Sequence, residues 1–159
     1  MKFLKGAVLT WLIMTSATLP AHAAFQAIYE VLGVYDNGPP AQTGVATAFH
    51  CTNTTNNPVN VRVFVRGSNG AIAGSTVTAS IVAQGTFTFT TKQTTLFFAS
   101  VGGALNTGSV TQGRARIFTE VPTAIICAAD MLDAANFPPV FVATRRMIRL
   151  PRGTSGGED

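Results

Sequence analysis

The sequence predicts an all-β domain, a single two-sheet antiparallel sandwich, and three observations carry that reading. Apolar and polar residues alternate at period two, most clearly where Val59, Val61, Val63 and Val65 interleave with Asn60, Arg62, Phe64 and Arg66, which puts each set on its own face of a strand. Turn-forming residues punctuate these runs, 15 glycines and 8 prolines among 159 residues. Composition agrees: with 47% hydrophobic and 11% charged residues the chain is too apolar for a disordered segment and too glycine-rich for a helical bundle.

The first segment is of a different kind. Lys2 and Lys5 precede a nearly unbroken apolar run from Gly6 to Met14, and Ala21-His22-Ala23 supplies small residues at the positions a signal peptidase reads, so residues 1–23 are expected to be a cleaved secretory signal peptide. The apolar run is shorter than the roughly 20 residues a spanning helix needs. No cysteine follows it to carry a lipid. The mature chain is therefore expected to be secreted or periplasmic, with a sandwich domain over residues 24–150 and a flexible tail over 151–159.

Cleavage leaves nine cations, Lys92 and eight arginines, against seven acids. A charge this close to neutral gives no reason to expect nucleic-acid binding, which needs several clustered phosphate contacts.

Nine strands are expected in order along the mature chain. Residues 25–35 and 44–51 come first. Val59–Arg66 turns at Gly67-Ser68-Asn69-Gly70 into a partner at 71–82, and Gln84-Gly85 reverses the chain into Thr86–Thr90, where phenylalanines alternate with threonines. That order reads as a meander. Four further runs follow at 96–101, 114–120 (Ala115 and Ile117 inward), 124–131 and 140–150. The stretch from Asp130 to Phe137 is allowed one helical turn at most, because Pro138-Pro139 ends it.

Cys51 and Cys127 are the only cysteines. In an oxidising compartment an even pair is most simply a disulfide, and neither the Cys-x-x-Cys spacing of a redox site nor neighbouring metal ligands accompany them. A cysteine in Ala48-Phe49-His50-Cys51-Thr52-Asn53 and another in Ile125-Ile126-Cys127-Ala128 resemble the cysteines of immunoglobulin-like sandwiches, and that resemblance implies a bridge between the two sheets. The segment from Gly44 to Phe89 is similar to small exported bacterial β-sandwich proteins of uncharacterised function, which implies fold and export and assigns no site residue.

The residues available for catalysis are few. His50 is the only mature histidine and no Gly-x-Ser-x-Gly sequence is present, so a Ser-His-Asp site has little to build on; His50 reads as a surface or packing residue on a strand. Glu30 and Glu120 are the candidates for a carboxylate-pair glycosidase, but each lies on an expected strand in a domain with little room for a cleft. Asp130 with Asp133, and Asp36-Asn37-Gly38, lack calcium-loop spacing and read as turn or capping residues. The expectation is a protein without enzymatic activity, metal or cofactor.

Three surface features remain. Arg145, Arg146, Arg149 and Arg152 gather four cations near the C-terminus, either a contact for an acidic partner or charge protecting an edge strand from pairing. Thr86, Thr88 and Thr90, extended by Thr91, Thr94 and Thr95, form a threonine face suited to a sugar or another sheet, or simply to an exposed strand. Asn53-Thr54-Thr55 is a glycosylation sequon, meaningful only in a glycosylating host. The function expected is an exported binding module that contacts a protein, glycan or cell-envelope component. The alternative is a structural subunit assembling through sheet edges into a fibre or surface layer.

Overall fold

The computed structural model describes residues 24–39, 41–94, 103–136 and 140–154. The expected signal peptide and the expected strand at 96–101 lie outside them. Nine strands are formed: β1 (Gln26–Asn37), β2 (Val45–Asn53), β3 (Val59–Arg66), β4 (Ile72–Ile81), β5 (Thr86–Thr90), β6 (Ser109–Thr119), β7 (Ile125–Asp133), β8 (Phe141–Thr144) and β9 (Met147–Arg149). They make a five-stranded sheet, β4-β3-β6-β1-β9, packed on a four-stranded sheet, β5-β2-β7-β8, with every pairing antiparallel.

Between the sheets lies one apolar layer, because inward positions on both carry Val, Ile and Phe side chains that leave water only by meeting each other. Val59, Val61, Val63 and Val65 from β3 meet Phe49 from β2, Phe89 from β5 and Ile125 from β7 there, all buried. A second group, Phe64 stacked on Phe118 at 5.2 Å between ring centroids, lies on the opposite face of β3 and β6 under Phe25 and Leu150.

The strand from β1 is bent. Its register against β6 slips between Leu32 and Val34, and Gly33 between them has φ +72°, a backbone conformation that glycine adopts without a β-carbon clash and that a bulge of this kind requires.

Five expectations are corrected, the disulfide last. The path from β4 to β5 is no meander, since the Val82–Gly85 turn carries the chain from one sheet to the other. The run 140–150 is two strands in different sheets: the Arg145 amide donates to Ala129 of the four-stranded sheet, while the adjacent Arg146 carbonyl accepts from Leu32 of the five-stranded one. No helical turn occurs among the described residues of 130–136, where β7 runs to Asp133 and its carboxylate then caps the Ala135 amide at 2.9 Å. The expected tail begins later than 151, because the Ala27 amide still reaches the Thr154 carbonyl.

The disulfide is present but does not join the sheets. Cys51 on β2 and Cys127 on β7 stand directly opposite each other in the same sheet, Cα atoms 4.2 Å apart. A bridge between sheets would need one cysteine on each layer, and β2 and β7 are hydrogen-bonded neighbours in the same one.

Candidate functional site

Charge is distributed unevenly over the two sheets. Seven of the eight mature arginines lie on strands of the five-stranded sheet or on the segment that docks along its edge, and Arg145, whose amide bonds to Ala129 of the four-stranded sheet, packs its side chain against Gly33 of β1, whereas the strands of the four-stranded sheet carry only His50, Asp130 and Asp133 as ionisable side chains. The cause is pairing: β3 and β6 are neighbours, and each sends arginines to the outer face by period-two alternation. Arg66 stands across from Arg114 and Phe64 across from Arg116. Glu30, on the next strand, receives Arg114 at 2.8 Å and Arg116 at 3.5 Å. Arg62 lies over the Phe25 ring at 4.2 Å and donates to Thr78.

The four C-terminal arginines separate into different roles. Arg149 is a fastener, donating to the Tyr29 hydroxyl and the Pro122 carbonyl at 2.9 Å each. Arg145 is partly buried, its guanidinium 3.6 Å from where a β-carbon on Gly33 would sit, and its Nε is buried with no hydrogen-bond partner among the described residues. Arg146 and Arg152 are exposed. The four therefore do not act as one patch, yet Arg145 and Arg146 adjoin the arginine face through Gly33 and Leu32.

Next to Arg114 the surface is concave. A groove of about 510 Å³ is lined by Gly33, Gly67, Ser68, Thr111, Gln112 and Arg114, among others, between the β3–β4 turn and the bulged part of β1. Arg66 is held at its border by a 2.9 Å bond to the Gly70 carbonyl.

On the opposite sheet, His50 lies on the outer face, its Nδ1 3.0 Å from Thr88 Oγ1 and its Nε2 3.8 Å from Asp130 Oδ2. The sequence of carboxylate, imidazole and hydroxyl resembles a nucleophile triad, but Thr88 is buried, 7% exposed. Burial lowers the His50 pKa below its ordinary value of 6.5, against an opposing pull from the Asp130 carboxylate. Because the folded protein then binds its proton more weakly than the unfolded chain, stability falls as pH drops through about 6.5. Denaturant midpoints measured between about pH 7.5 and 5 should decline, and His50→Gln, which keeps a donor for Thr88, should flatten that decline. An equal slope in the variant would assign it elsewhere.

The remaining candidates lie away from the groove or are engaged within the fold. Glu30 is held by two arginines, and Glu120 accepts from Asn60 at 3.3 Å; neither lines the groove. The expected threonine face is mostly closed: Thr88, Thr90, Thr91 and Thr94 are buried and only Thr86 is exposed, while Thr95 lies outside the described residues. Asn53 is fully buried, its Nδ2 shared among the carbonyls of Asn57, Ile81 and Val82, so the folded sequon offers no amide nitrogen to a glycosyltransferase. Among the described residues no group of three or more His, Cys, Asp and Glu side chains is placed to hold a metal ion.

The Asp36-Asn37-Gly38 turn holds a partner that no sequence pattern marks. Lys92, just past β5, is buried with its ammonium 2.9 Å from Asp36 Oδ1 and 2.7 Å from Asn37 Oδ1, and it also reaches the carbonyls of Gly38 and Thr43. Asp36 is 1% exposed and takes a second bond from the Gly38 amide at 2.7 Å. Gly44 is needed beside this cluster, since a β-carbon there would collide with the Asn37 side chain and its φ is +63°. The ammonium ties the end of β1, the loop before β2 and the segment after β5 together.

No protein-family model, curated protein or solved structure matches this chain. Among the described residues no helix is long and apolar enough to cross a membrane, and a disulfide is the cross-link that an oxidising, extracytoplasmic compartment sustains.

Proposed function

We propose that the protein is an exported, non-enzymatic β-sandwich module that binds an acidic component of the cell envelope or cell surface through the outer face of its five-stranded sheet. The observation supporting this is the gathering of seven of the eight mature arginines on that sheet and its docked edge, with the Arg145 side chain packed on Gly33 of β1, against a four-stranded sheet that carries no Lys or Arg on its strands. A one-sided field of this kind concentrates anionic partners and orients their approach. Export is supported by the signal-like residues 1–23 and by the disulfide.

The test is cosedimentation of the oxidised mature chain with isolated envelopes of the exporting cell. A saturable bound fraction is expected, falling several-fold between about 50 and 300 mM salt as screening shortens the reach of the arginines. A chain that stays in the supernatant at both salt concentrations overturns the reading.

A second reading is favoured by β8. It is an edge strand of the four-stranded sheet, it carries no charge, and Val140, Phe141 and Val142 at its start are each more than half exposed. Unprotected apolar edges pair with other edges, which supports assembly of copies into a fibre or layer. Sedimentation velocity over a wide concentration range separates the two: a monomer at all concentrations removes assembly, and growth that Val142→Lys prevents supports it.

A further inference from the structure

Resting on the binding-module reading, we propose that the groove between the β3–β4 turn and the β1 bulge is a binding site for an acidic polysaccharide, its carboxylates or sulfates held by Arg66, Arg114 and Arg145. Three independent observations converge there. Arg66 and Arg114 stand directly opposite on neighbouring strands, Arg114 lining the groove and Arg66 bonded to the Gly70 carbonyl at its border, so that two guanidinium groups stand together where an anion would bind. Arg145 packs against Gly33, a residue of the groove wall, with a buried Nε that no described residue satisfies. An unsatisfied buried donor costs stability, and an anionic oxygen from a ligand would supply its acceptor.

The groove wall supplies the second half of the recognition. Gly33 and Gly67 bare the main chain, and Ser68, Thr111 and Gln112 add hydroxyl and amide groups. Such a lining exchanges hydrogen bonds with a hydroxyl-rich chain, while the guanidinium forks grip its acidic substituents in bidentate fashion. Arg114, with 44% of its side chain exposed, is accessible from solvent and already oriented by Glu30 at 2.8 Å. An anionic membrane is the less fitting partner, because a concave, polar-walled groove does not lay its charges against a flat headgroup plane. An acidic peptide shares the charge but does not use the hydroxyl-binding wall.

Affinity electrophoresis and calorimetry of the oxidised mature chain against polygalacturonate, with dextran, polyglutamate and anionic phosphatidylglycerol vesicles alongside, test this. Binding to polygalacturonate is expected, with at least about tenfold weaker affinity in the Arg114→Ser/Arg145→Ser double variant, since two charge-assisted contacts are removed. Gln112→Glu, an exposed change that places a carboxylate in the groove without touching the core, is expected to weaken binding similarly. Arg152→Ser, outside the groove, is expected to leave it within about twofold. Unfolding midpoints of each variant identify any that fail to fold, and Gln112→Glu then carries the test.

Equal affinity for polyglutamate or for vesicles overturns the saccharide assignment, as does a loss in Arg152→Ser equal to that in the groove variants. If polygalacturonate is not bound while envelopes still retain the chain, the groove inference fails and the module reading stands. If envelopes retain nothing, the module reading itself falls.

Discussion

Replacing Lys92 by methionine is expected to lower the unfolding free energy by about 3–5 kcal/mol, the range seen when one member of a buried ion pair is removed and the other stays behind. Methionine matches the lysine stem in length and apolar character, so packing changes little and the lost ammonium dominates. What remains is a carboxylate on Asp36 with 1% exposure, left with the Gly38 amide and the more distant Thr107 hydroxyl. The carbonyls of Gly38 and Thr43 lose their donor as well. Against a typical total stability of about 5–15 kcal/mol, such a loss is a large share. Denaturant titration of the variant measures it.

The double variant Lys92→Met/Asp36→Asn separates charge from geometry. With the stranded carboxylate neutralised, most of the loss should return, because a buried pair adds little net stability over neutral groups of similar shape. If instead the losses of the two single variants add, the pair is not coupled and the cluster acts only through packing. A Lys92→Met loss below about 1 kcal/mol would show that water reaches the site and screens it.

Period two was sufficient to read which residues of a strand face inward, and it read β3 and β5 with their observed bounds. It carries no information on which strands are neighbours. The arginines at 62, 66, 114 and 116 are visible in the sequence as the polar sides of two runs, yet their merging into one face depends on β3 pairing with β6 although β4 and β5 intervene in the chain. Val140 to Leu150 reads as one run for the same reason, since nothing local records that Arg145 bonds to one sheet and Arg146 to the other. Chain proximity groups the arginines from 145 to 152, whereas sheet membership groups those at 62, 66, 114 and 116.

The Lys92 cluster was illegible for a different cause. A lone lysine after a threonine run has no pattern, and its partners are more than 45 positions away in the chain. The turn sequence Asp36-Asn37-Gly38 was visible, and its capping role is present in the 2.7 Å bond to the Gly38 amide. Its second role, holding a cation supplied by the protein's own chain, follows only from tertiary packing. Thr88 and Thr90 show the converse: β-propensity placed them correctly on a strand, but their burial reflects what covers that face.

Removing the disulfide, by reduction or by Cys51→Ala/Cys127→Ala, is expected to lower stability by about 4–5 kcal/mol while leaving the sheet arrangement intact. The size follows from the 76-residue separation, which in the chain-entropy model gives about 4.5 kcal/mol at 25 °C from the freedom the cross-link removes from the unfolded chain. The second half follows from where the bond lies. A bridge between sheets would hold the two layers together, and its loss would loosen their packing. This bridge joins strands already hydrogen-bonded in register from Val45–Asn53 against Ile125–Asp133, so the native state has little to lose and the unfolded state much to gain. Far-ultraviolet and near-ultraviolet circular dichroism should therefore stay native-like at low denaturant, while the midpoint falls sharply and refolding slows, because the β2–β7 contact must then be found across the full loop. Loss of the near-ultraviolet signal before the far-ultraviolet one would show that the bond stabilises packing between the layers after all. A drop under about 1 kcal/mol would show that the reduced, unfolded chain already keeps β2 and β7 close.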